Sequence, residues 1–325
     1  MPFTDLPLDE LRRYDPGHPA PEGFDEFWRT TLEEARARPI AASFVPVDTG
    51  LRAFDTFDVT FAGFAGSPIR AWLHLPAGID VPVPAVVEYV GYGGGRGLAH
   101  ERTLWAAAGY AHFLMDTRGQ GSTWSAGDTP DPDGGGDPAH PGFMTRGILD
   151  PHSYYYRRVY VDAVRAVEAA AAHELVDGER VVVAGGSQGG ALAIAAGSLE
   201  PTVRGVVTDV PFLSDFPRAT MIADVDPYPE IARYLRVHRD HTARVFATLA
   251  HFDVSIVGRR ATAPALFSLG LMDRITPPST VYAAFHAYGG PKELVEYPFN
   301  DHEGGGAFHE VTKLRWVADT LAALG

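Results

Sequence analysis

From residue 84 onward, short apolar runs alternate with longer segments in which apolar residues recur at helical spacing. Continuous apolar runs are typical of strands buried on both faces, and strands that alternate with helices form a mostly parallel sheet with helices on both sides. The pattern therefore predicts an α/β fold. The predicted strands are PAVVEYV (84–90), YAHFLMD (110–116), RVVVAG (180–185), VRGVVTDV (203–210), PALFSLGL (264–271) and ELVEYPF (293–299).

Two earlier β-like runs, 54–64 and 68–76, are joined through Gly66 and Ser67 and predict an antiparallel hairpin. Together with the six later runs they predict a mixed sheet of about eight strands. Helices are expected near 100–108, over 153–174, directly after Ser187, near 278–288 and near 308–323.

Three segments lie outside this alternation, although the whole chain, 1–325, is expected to be one domain. Residues 1–40 predict an N-terminal extension with an amphipathic helix over 24–38, which Pro39 ends. Its apolar positions are Phe24, Phe27, Trp28, Leu32 and Ala35. Residues 117–152 are rich in Gly, Pro and Asp, and a loop of that length in a compact domain is usually functional or interfacial.

The third segment, 212–262, has a mainly helical pattern and lies between two predicted strands. In an open α/β sheet such an insertion leaves from the carboxyl end of a strand, which is also where ligands bind. We therefore expect this insertion to form a cap over the site.

Composition excludes several classes of function. The net charge of −14 disfavours binding to nucleic acid and to anionic membranes. There is no cysteine, which excludes disulfides, thiolate metal sites and a cysteine nucleophile. No apolar stretch approaches the ~20 residues of a membrane span, and the N-terminus does not resemble a signal peptide. The expected location is the cytoplasm.

A candidate nucleophile, Ser187, lies in the sequence VVVAGGSQGGAL (181–192), where Gly185 to Gly189 match G-x-S-x-G. The motif directly follows a predicted strand and directly precedes a predicted helix, which is the setting of a nucleophile elbow. The glycines allow strand and helix to approach, and the serine lies at a helix N-terminus, where free amides favour developing negative charge. The alternative interpretation is a glycine-rich turn with a helix cap.

A serine nucleophile needs a base and an acid that orients it, in the chain order Ser, acid, His. Asp273 and His302 follow the last two predicted strands and so are expected at the same edge of the sheet as Ser187. Two alternatives remain open, namely Asp209 as the acid and His309 as the base. Asp301 and Glu303 are weaker candidates for the acid because residues adjacent to His302 seldom present their side chains to its ring.

Two backbone amides are expected to form an oxyanion hole. Gln188, the residue after the nucleophile, supplies one amide, and Tyr92 in the loop GYGGGRG (91–97) supplies the other. That loop lacks an in-register G-x-G-x-x-G, so a dinucleotide site is not predicted. Asp, Glu and His are not clustered at metal-ligand spacing, and we predict neither a metal nor a cofactor.

The motifs together resemble the acetyl xylan esterase/cephalosporin C deacetylase group, carbohydrate esterase family 7, within the α/β-hydrolases. The three signatures of that family are present as Arg118-Gly119-Gln120, Gly185 to Gly189 and His302-Glu303. Further matching stretches are DLPLDEL (5–11), GFDEFW (23–28), VPFLSDFPRA (210–219) and DRITPPST (273–280), so that the resemblance covers nearly the whole chain.

The resemblance implies Ser187 as nucleophile, His302 as base and Asp273 as its orienting acid, with the amides of Tyr92 and Gln188 as the oxyanion hole. It implies that two further residues, Arg118 and Gln120, brace the loop beneath the site. It also implies deacetylation of sugars, xylo-oligosaccharides or cephalosporin-type acetates, with a small acyl pocket, and an intracellular homo-oligomer, typically a hexamer. The glycine-rich stretch 128–142 departs from the usual family pattern, which leaves local pocket shape and interface details open.

Two alternative functions are considered from the same residues. Peptidases of the prolyl-oligopeptidase type also use a glycine-flanked serine, but they usually carry Tyr where Gln188 stands and a propeller domain for which 325 residues leave no room. A catalytically silent hydrolase-fold binding protein is disfavoured because the Ser, Asp and His are all present.

Overall fold

The computed structural model describes residues 5–324, so the first four residues of the predicted N-terminal extension and the last residue of the chain lie outside the described part. The described chain forms one nine-stranded sheet in the order β1-β2-β3-β5-β4-β6-β7-β8-β9. The strands are β1 Ser43–Val47, β2 Phe54–Ala62, β3 Pro68–Pro76, β4 Val83–Tyr89, β5 Ala111–Met115, β6 Val176–Gly186, β7 Val203–Asp209, β8 Ala265–Gly270 and β9 Lys292–Tyr297.

The sheet has an antiparallel part and a parallel part. β1, β2, β3 and β5 pair antiparallel in that order, whereas β5, β4, β6, β7, β8 and β9 pair parallel. This confirms the predicted hairpin and the six predicted parallel strands. The prediction of eight strands missed β1, because Pro46 interrupts its apolar pattern and its side chains are largely exposed; a proline is tolerated at this edge position.

Eleven α-helices are described within residues 5–324: α1 Leu8–Leu11, α2 Phe24–Arg36, α3 Leu104–Ala107, α4 Tyr155–Ala171, α5 Gln188–Leu199, α6 Phe216–Ile222, α7 Pro229–Val237, α8 Thr242–Leu249, α9 Val254–Val257, α10 Pro278–Ala287 and α11 Gly306–Ala322. The segment 212–262 contains α6 to α9. Across the described residues, no helix is both long and apolar enough to cross a lipid bilayer.

Helices cover both faces of the sheet. On one face, α4 and α5 pack on alternate strand residues such as Val87, Val183 and Val206. On the other face, α3 and α11 pack on the intervening residues, among them Val86 and Val182. Because both faces are buried, the parallel strands have the continuous apolar sequences from which they were predicted.

The amphipathic helix predicted over 24–38 is α2. All five of its predicted apolar positions are buried: Phe24, Phe27, Trp28, Leu32 and Ala35. The Trp28 ring stacks on Tyr160 of α4, and the rings of Phe27 and Trp28 pack edge-to-face against Phe252 of the helical insertion. These contacts fix α2 to both elements. That 1–325 forms one domain stays a prediction.

Candidate active site

Ser187 lies in the turn between β6 and α5, as its motif predicted. Its backbone is in the left-handed half of conformational space, with φ 57° and ψ −121°, which is strained for a residue with a side chain. The turn is held from both sides, because Ser187 N donates to Asp209 O at 2.8 Å and Phe212 N donates to Ser187 O at 3.0 Å. The backbone therefore presents the serine in one fixed position.

The outer glycines of the motif are required by close backbone approach. A Cβ on Gly185 would overlap the backbone of Gly189, and a Cβ on Gly189 would overlap the carbonyl oxygen of Tyr89. The middle glycine differs, since a Cβ on Gly186 would have its nearest neighbour at 3.8 Å. The two outer positions must therefore be glycine because α5 packs tightly against the end of β6.

His302 and Asp273 are joined as the chain order predicted. His302 Nδ1 lies 2.8 Å from Asp273 Oδ2. The Asp273 carboxylate is buried and accepts further hydrogen bonds from the amides of Ile275 and Thr276 and from the Thr276 hydroxyl, at 2.7–2.9 Å. These bonds fix the carboxylate, which in turn leaves Nε2 as the free nitrogen of the imidazole.

One cavity of about 560 Å³ brings Ser187 and His302 together. Both residues line the wall of this cavity, but within residues 5–324 no hydrogen bond joins their side chains. Catalytic hydrogen bonds of this kind often tighten only when substrate binds. The apolar residues of the wall include Tyr92, Pro227 and Ile275.

The alternative acid and base lie on the wall of the same cavity, where they bind each other in an ion cluster that does not include His302. The Asp209 carboxylate contacts Ser268 Oγ at 2.6 Å, Lys313 Nζ at 2.9 Å and His309 Nε2 at 3.3 Å. Burial opposes ionisation of Asp209, but His309 and Lys313 outweigh it and lower its pKa well below the ordinary value. His309 lies in the first turn of α11 and is bound by Tyr297, so that in this structure Asp273 is the carboxylate on His302.

The two predicted oxyanion segments lie side by side. A Cβ on Gly91 would be 3.9 Å from the Cβ of Ser187, so the loop after β4 passes directly beside the serine. Gln188 opens α5, and the first amides of a helix have no acceptor within the helix. The Tyr92 side chain is fixed by donating to Glu230 Oε1 at 2.7 Å.

Gln120 connects these two segments. Its Oε1 accepts from Gly93 N at 2.7 Å, and its Nε2 donates to Gln188 Oε1 at 2.8 Å and to the Tyr155 hydroxyl at 3.1 Å. The Gln188 side chain in turn donates to Val90 O at 3.1 Å. A single buried amide thus holds the loop after β4 at a fixed distance from the elbow.

Arg118 lies one layer further from the cavity and is fully buried. Its guanidinium binds both oxygens of Asp162 on α4, at 2.5 and 2.8 Å, and approaches Asp131 at 3.4 Å. The backbone carbonyl of Arg118 accepts from the Tyr155 hydroxyl at 2.5 Å. The arginine therefore attaches the segment 117–152 to α4.

Several partners at the site were not predicted from sequence: Glu230, Thr276, Tyr155, Tyr156 and Trp124. Glu230 belongs to the helical insertion yet binds Tyr92, and Trp124 lines the cavity. Only Trp124 had a signal in the sequence, since a tryptophan within a stretch of Gly, Ser and Asp is unusual. The others act through contacts between distant segments. Within residues 5–324, no group of three or more His, Asp or Glu residues is arranged to hold a metal ion.

The strand order, the helices on both faces and the strand–serine–helix turn at the carboxyl edge of the sheet define an α/β-hydrolase. The predicted fold class is thus confirmed. Within that class, the family model of acetyl xylan esterase (AXE1) matches residues 1–320. The chain belongs to this family.

Individual relatives agree with this assignment. Acetyl esterase Axe7A of Xylanibacter ruminicola is 30% identical over 284 residues, which is 87% of this chain and 63% of that protein, so the chain spans less than two thirds of this relative's length. The structure of an acetyl xylan esterase from Paenibacillus sp. R4 superposes with a TM-score of 0.90 at 36% identity, covering 97% of this chain and 99% of the other. For acetyl xylan esterase 1 from Thermoanaerobacterium sp. JW/SL YS485 the TM-score is 0.88 at 31% identity, with the same coverage.

Proposed function

We propose that this chain is a serine esterase that removes acetyl groups from acetylated xylo-oligosaccharides and related sugars, with cephalosporin-type acetates as a second substrate class. The observation that carries the proposal is the 2.8 Å hydrogen bond between His302 and a buried Asp273, at the wall of the cavity that Ser187 also lines. The names of the relatives, acetyl esterase and acetyl xylan esterase, support the choice of acetyl esters.

In the proposed reaction, His302 Nε2 takes the proton of the Ser187 hydroxyl while Oγ attacks the acetyl carbonyl carbon. Negative charge develops on the carbonyl oxygen and is stabilised by the amides of Tyr92 and Gln188. The C–O bond to the sugar then breaks, and His302 returns the proton to the leaving alkoxide. Asp273 keeps Nδ1 protonated and stabilises the imidazolium throughout.

The acetyl group is then on Ser187 as an acyl-enzyme. A water molecule gives a proton to His302, and the resulting hydroxide oxygen attacks the acyl carbon. Acetate leaves as Ser187 regains its proton from His302. Acetyl is expected to be preferred over longer acyl chains, as the family resemblance implies, and the homo-oligomer implied by the same resemblance stays a prediction.

The test is Ser187→Ala. The variant is expected to keep the circular dichroism and thermal unfolding of the parent and to lose about 10⁴-fold or more in kcat on p-nitrophenyl acetate and on acetylated xylo-oligosaccharides. Near-parental hydrolysis by the variant would rule out Ser187 as the nucleophile. Labelling of the parent, but not of Ser187→Ala, by a fluorophosphonate would separate an active serine hydrolase from a catalytically silent one.

A panel of esters tests the substrate class. Acetylated xylo-oligosaccharides, acetylated hexoses, a cephalosporin acetate and acyl chains from acetyl to octanoyl are compared by kcat/KM, together with a dipeptide amide. The proposal expects acetyl sugars to be the best substrates and the amide to be inert. Efficient amide cleavage would favour the peptidase alternative.

A further inference from the structure

One aromatic side chain of the active-site cavity has no place in the proposed chemistry. Trp124 lines the same cavity as Ser187 and His302, yet this residue is 55% exposed. A single exposed apolar residue is common on protein surfaces and needs no explanation by itself. Trp124 differs because its ring is held in a fixed orientation at the mouth of a functional cavity.

Two sets of contacts fix the indole. Its Nε1 donates to Tyr92 O at 2.9 Å, within the loop that carries the proposed oxyanion amide. The ring lies on bare glycine backbone, since a Cβ on Gly94 would overlap the indole and a Cβ on Gly91 would lie 3.4 Å from its Cζ2. One side of the ring is therefore supported by the loop, while Trp124 as a whole stays 55% exposed and lines the cavity.

One charged group lies over the ring, and other polar groups line the same cavity. The guanidinium carbon of Arg102 lies 5.5 Å from the indole centroid, and Lys313 and Glu310 belong to the same cavity wall. A rigid aromatic surface in a cavity that also carries donors and acceptors matches the chemistry of a sugar ring, which has apolar C–H faces and hydroxyl groups around its rim. Aromatic side chains contribute such contact area at low entropic cost.

The position of Trp124 suits the alcohol part of an ester more than the acyl part. An acetyl group has only one methyl to bury and needs a small closed pocket. An oligosaccharide extends beyond the reacting centre and stays partly in solvent, as does Trp124, which is 55% exposed.

We propose that Trp124 is a specificity-determining residue, a platform on which a pyranose ring of the alcohol part of the ester packs. The proposal rests on the proposed deacetylation of sugars at this cavity. It adds the surface that recognises the sugar and distinguishes a cyclic, hydroxylated alcohol from a short acyclic one.

The kinetic test uses the ratio of kcat/KM for an acetylated xylo-oligosaccharide to that for ethyl acetate, whose alcohol has no ring. Trp124→Leu keeps apolar bulk and removes the flat face, and it is expected to lower this ratio about five- to tenfold, mainly through KM on the sugar. Trp124→Phe keeps a ring without the Nε1 donor and is expected to restore most of the ratio. Trp316→Phe is the control, because Trp316 lies on another surface beside Arg204 and Pro264 and is expected to leave the ratio unchanged.

An unchanged ratio in Trp124→Leu would overturn the platform. A ratio that falls equally in Trp124→Leu and Trp124→Phe would also overturn it, because Trp124 would then contribute only through its Nε1 bond to the loop. A binding experiment separates this failure from failure of the proposed function. Xylotriose is titrated into Ser187→Ala and into Ser187→Ala/Trp124→Phe while tryptophan emission is recorded.

A saturable change in emission that disappears with Trp124 supports the platform, even if the parent fails to hydrolyse acetylated sugars, and in that case only the proposed function fails. No such change, in a protein whose parent does hydrolyse acetylated sugars, overturns the platform and leaves the proposed function standing.

Discussion

The elbow around Ser187 and the segment 117–152 are both glycine-rich, but they are ordered in different ways. In the elbow, order comes from the backbone, since Gly185 and Gly189 let a strand and a helix meet and each element continues regularly beyond the turn. The segment 117–152 has almost no regular structure and is held by buried side chains, Arg118 and Gln120 among them. Close packing of backbone can be encoded locally, whereas side-chain anchoring depends on residues far away in the chain.

This difference predicts that the segment, not the elbow, is the more sensitive to loss of a single side chain. Arg118→Met removes the cation from a pair in which Arg118 and Asp162 are 0% and 1% exposed, leaving a buried carboxylate without its partner. Breaking such a pair costs about 3–5 kcal/mol of unfolding free energy. Urea denaturation of the variant measures it.

Arg204→Met is the matched control, because the Arg204–Glu179 pair is 36% and 81% exposed. Its cost is expected to stay within about 0.5 kcal/mol. If Arg118→Met cost no more than this control, the segment would be held by other contacts and the contrast with the elbow would fail.

The second prediction concerns adjacent glycines of the elbow. Gly185→Ala forces a Cβ into the backbone of Gly189 and is expected to cost about 1–3 kcal/mol, with loss of most esterase activity because the serine is displaced. Thermal unfolding and p-nitrophenyl acetate hydrolysis measure the two effects.

Gly186→Ala supplies the comparison within the same turn. Its Cβ would meet nothing closer than 3.8 Å, so its stability is expected to change by less than about 0.5 kcal/mol. Equal losses at both positions would show that the turn tolerates a side chain at neither glycine, and that close packing of Gly185 on Gly189 is not what makes Gly185 necessary.

The same contrast explains which parts of the fold and of the candidate site could be predicted from the sequence. The six parallel strands, α2 and the turn at Ser187 were predictable, because each is specified by a periodicity or a glycine spacing within about ten residues. Asp273 and His302 were paired through a topological rule: the carboxyl ends of parallel strands share one edge. β1 was missed because an exposed edge strand that contains Pro46 has neither signal.

The interior of segment 117–152 was not predictable in this way. Asp116, directly before the segment, accepts four hydrogen bonds from Arg96 and from Asp128 and Thr129 within the segment, at 2.6–3.0 Å, and nothing in its sequence neighbourhood indicates that role. Arg118 and Gln120 were expected to brace the site only through a family resemblance. Their partners Asp162 and Tyr155 lie on α4, and a single sequence does not indicate which side chains from such distant segments are in contact.

A third prediction tests whether the segment supports the elbow. Gln120→Leu removes the acceptor of Gly93 N and the donor to Gln188, and the unsatisfied buried amide is expected to cost about 1–3 kcal/mol. Because the loop after β4 is then released from the elbow, kcat is expected to fall about tenfold or more. Denaturation and steady-state kinetics on p-nitrophenyl acetate measure these changes separately.

Thr129→Val is the control for this variant. Its hydroxyl binds Asp116 and Arg70 N, each at 3.0 Å, so its loss weakens the same segment without touching Gln188. A similar loss of stability is expected with little change in kcat. A fall in kcat of the same size would mean that general loosening, and not the link through Gln120, governs activity.

The smallest expected effect is a pH dependence at the point where the helical insertion contacts both regions. Glu230 on α7 accepts from Tyr92 Oη at 2.7 Å, beside the elbow, and from Met144 N at 3.1 Å, within segment 117–152. Burial raises the pKa of Glu230 above its ordinary value, against the effect of these two donors, which lower it. Between the unfolded and the folded pKa the folded chain binds more protons than the unfolded chain, so the unfolding free energy falls as pH rises through that range.

The amide side chain introduced by Glu230→Gln cannot ionise, so the variant lacks this pH dependence of the unfolding free energy. Denaturation curves recorded from about pH 4 to pH 7, a range that begins near the ordinary glutamate pKa of about 4.3, are expected to show the parent losing stability relative to the variant as pH rises. The amide exchanges hydrogen-bond partners and shifts the variant's stability by a constant amount, so the slope against pH is the quantity to compare. Glu22→Gln, at an exposed position, is the control and is expected to run parallel to the parent. If the Glu230→Gln curve also ran parallel to that of the parent, the two hydrogen-bond donors would fully offset the desolvation of the carboxylate. The insertion would then hold the loop after β4 and the segment 117–152 together at no cost in desolvation.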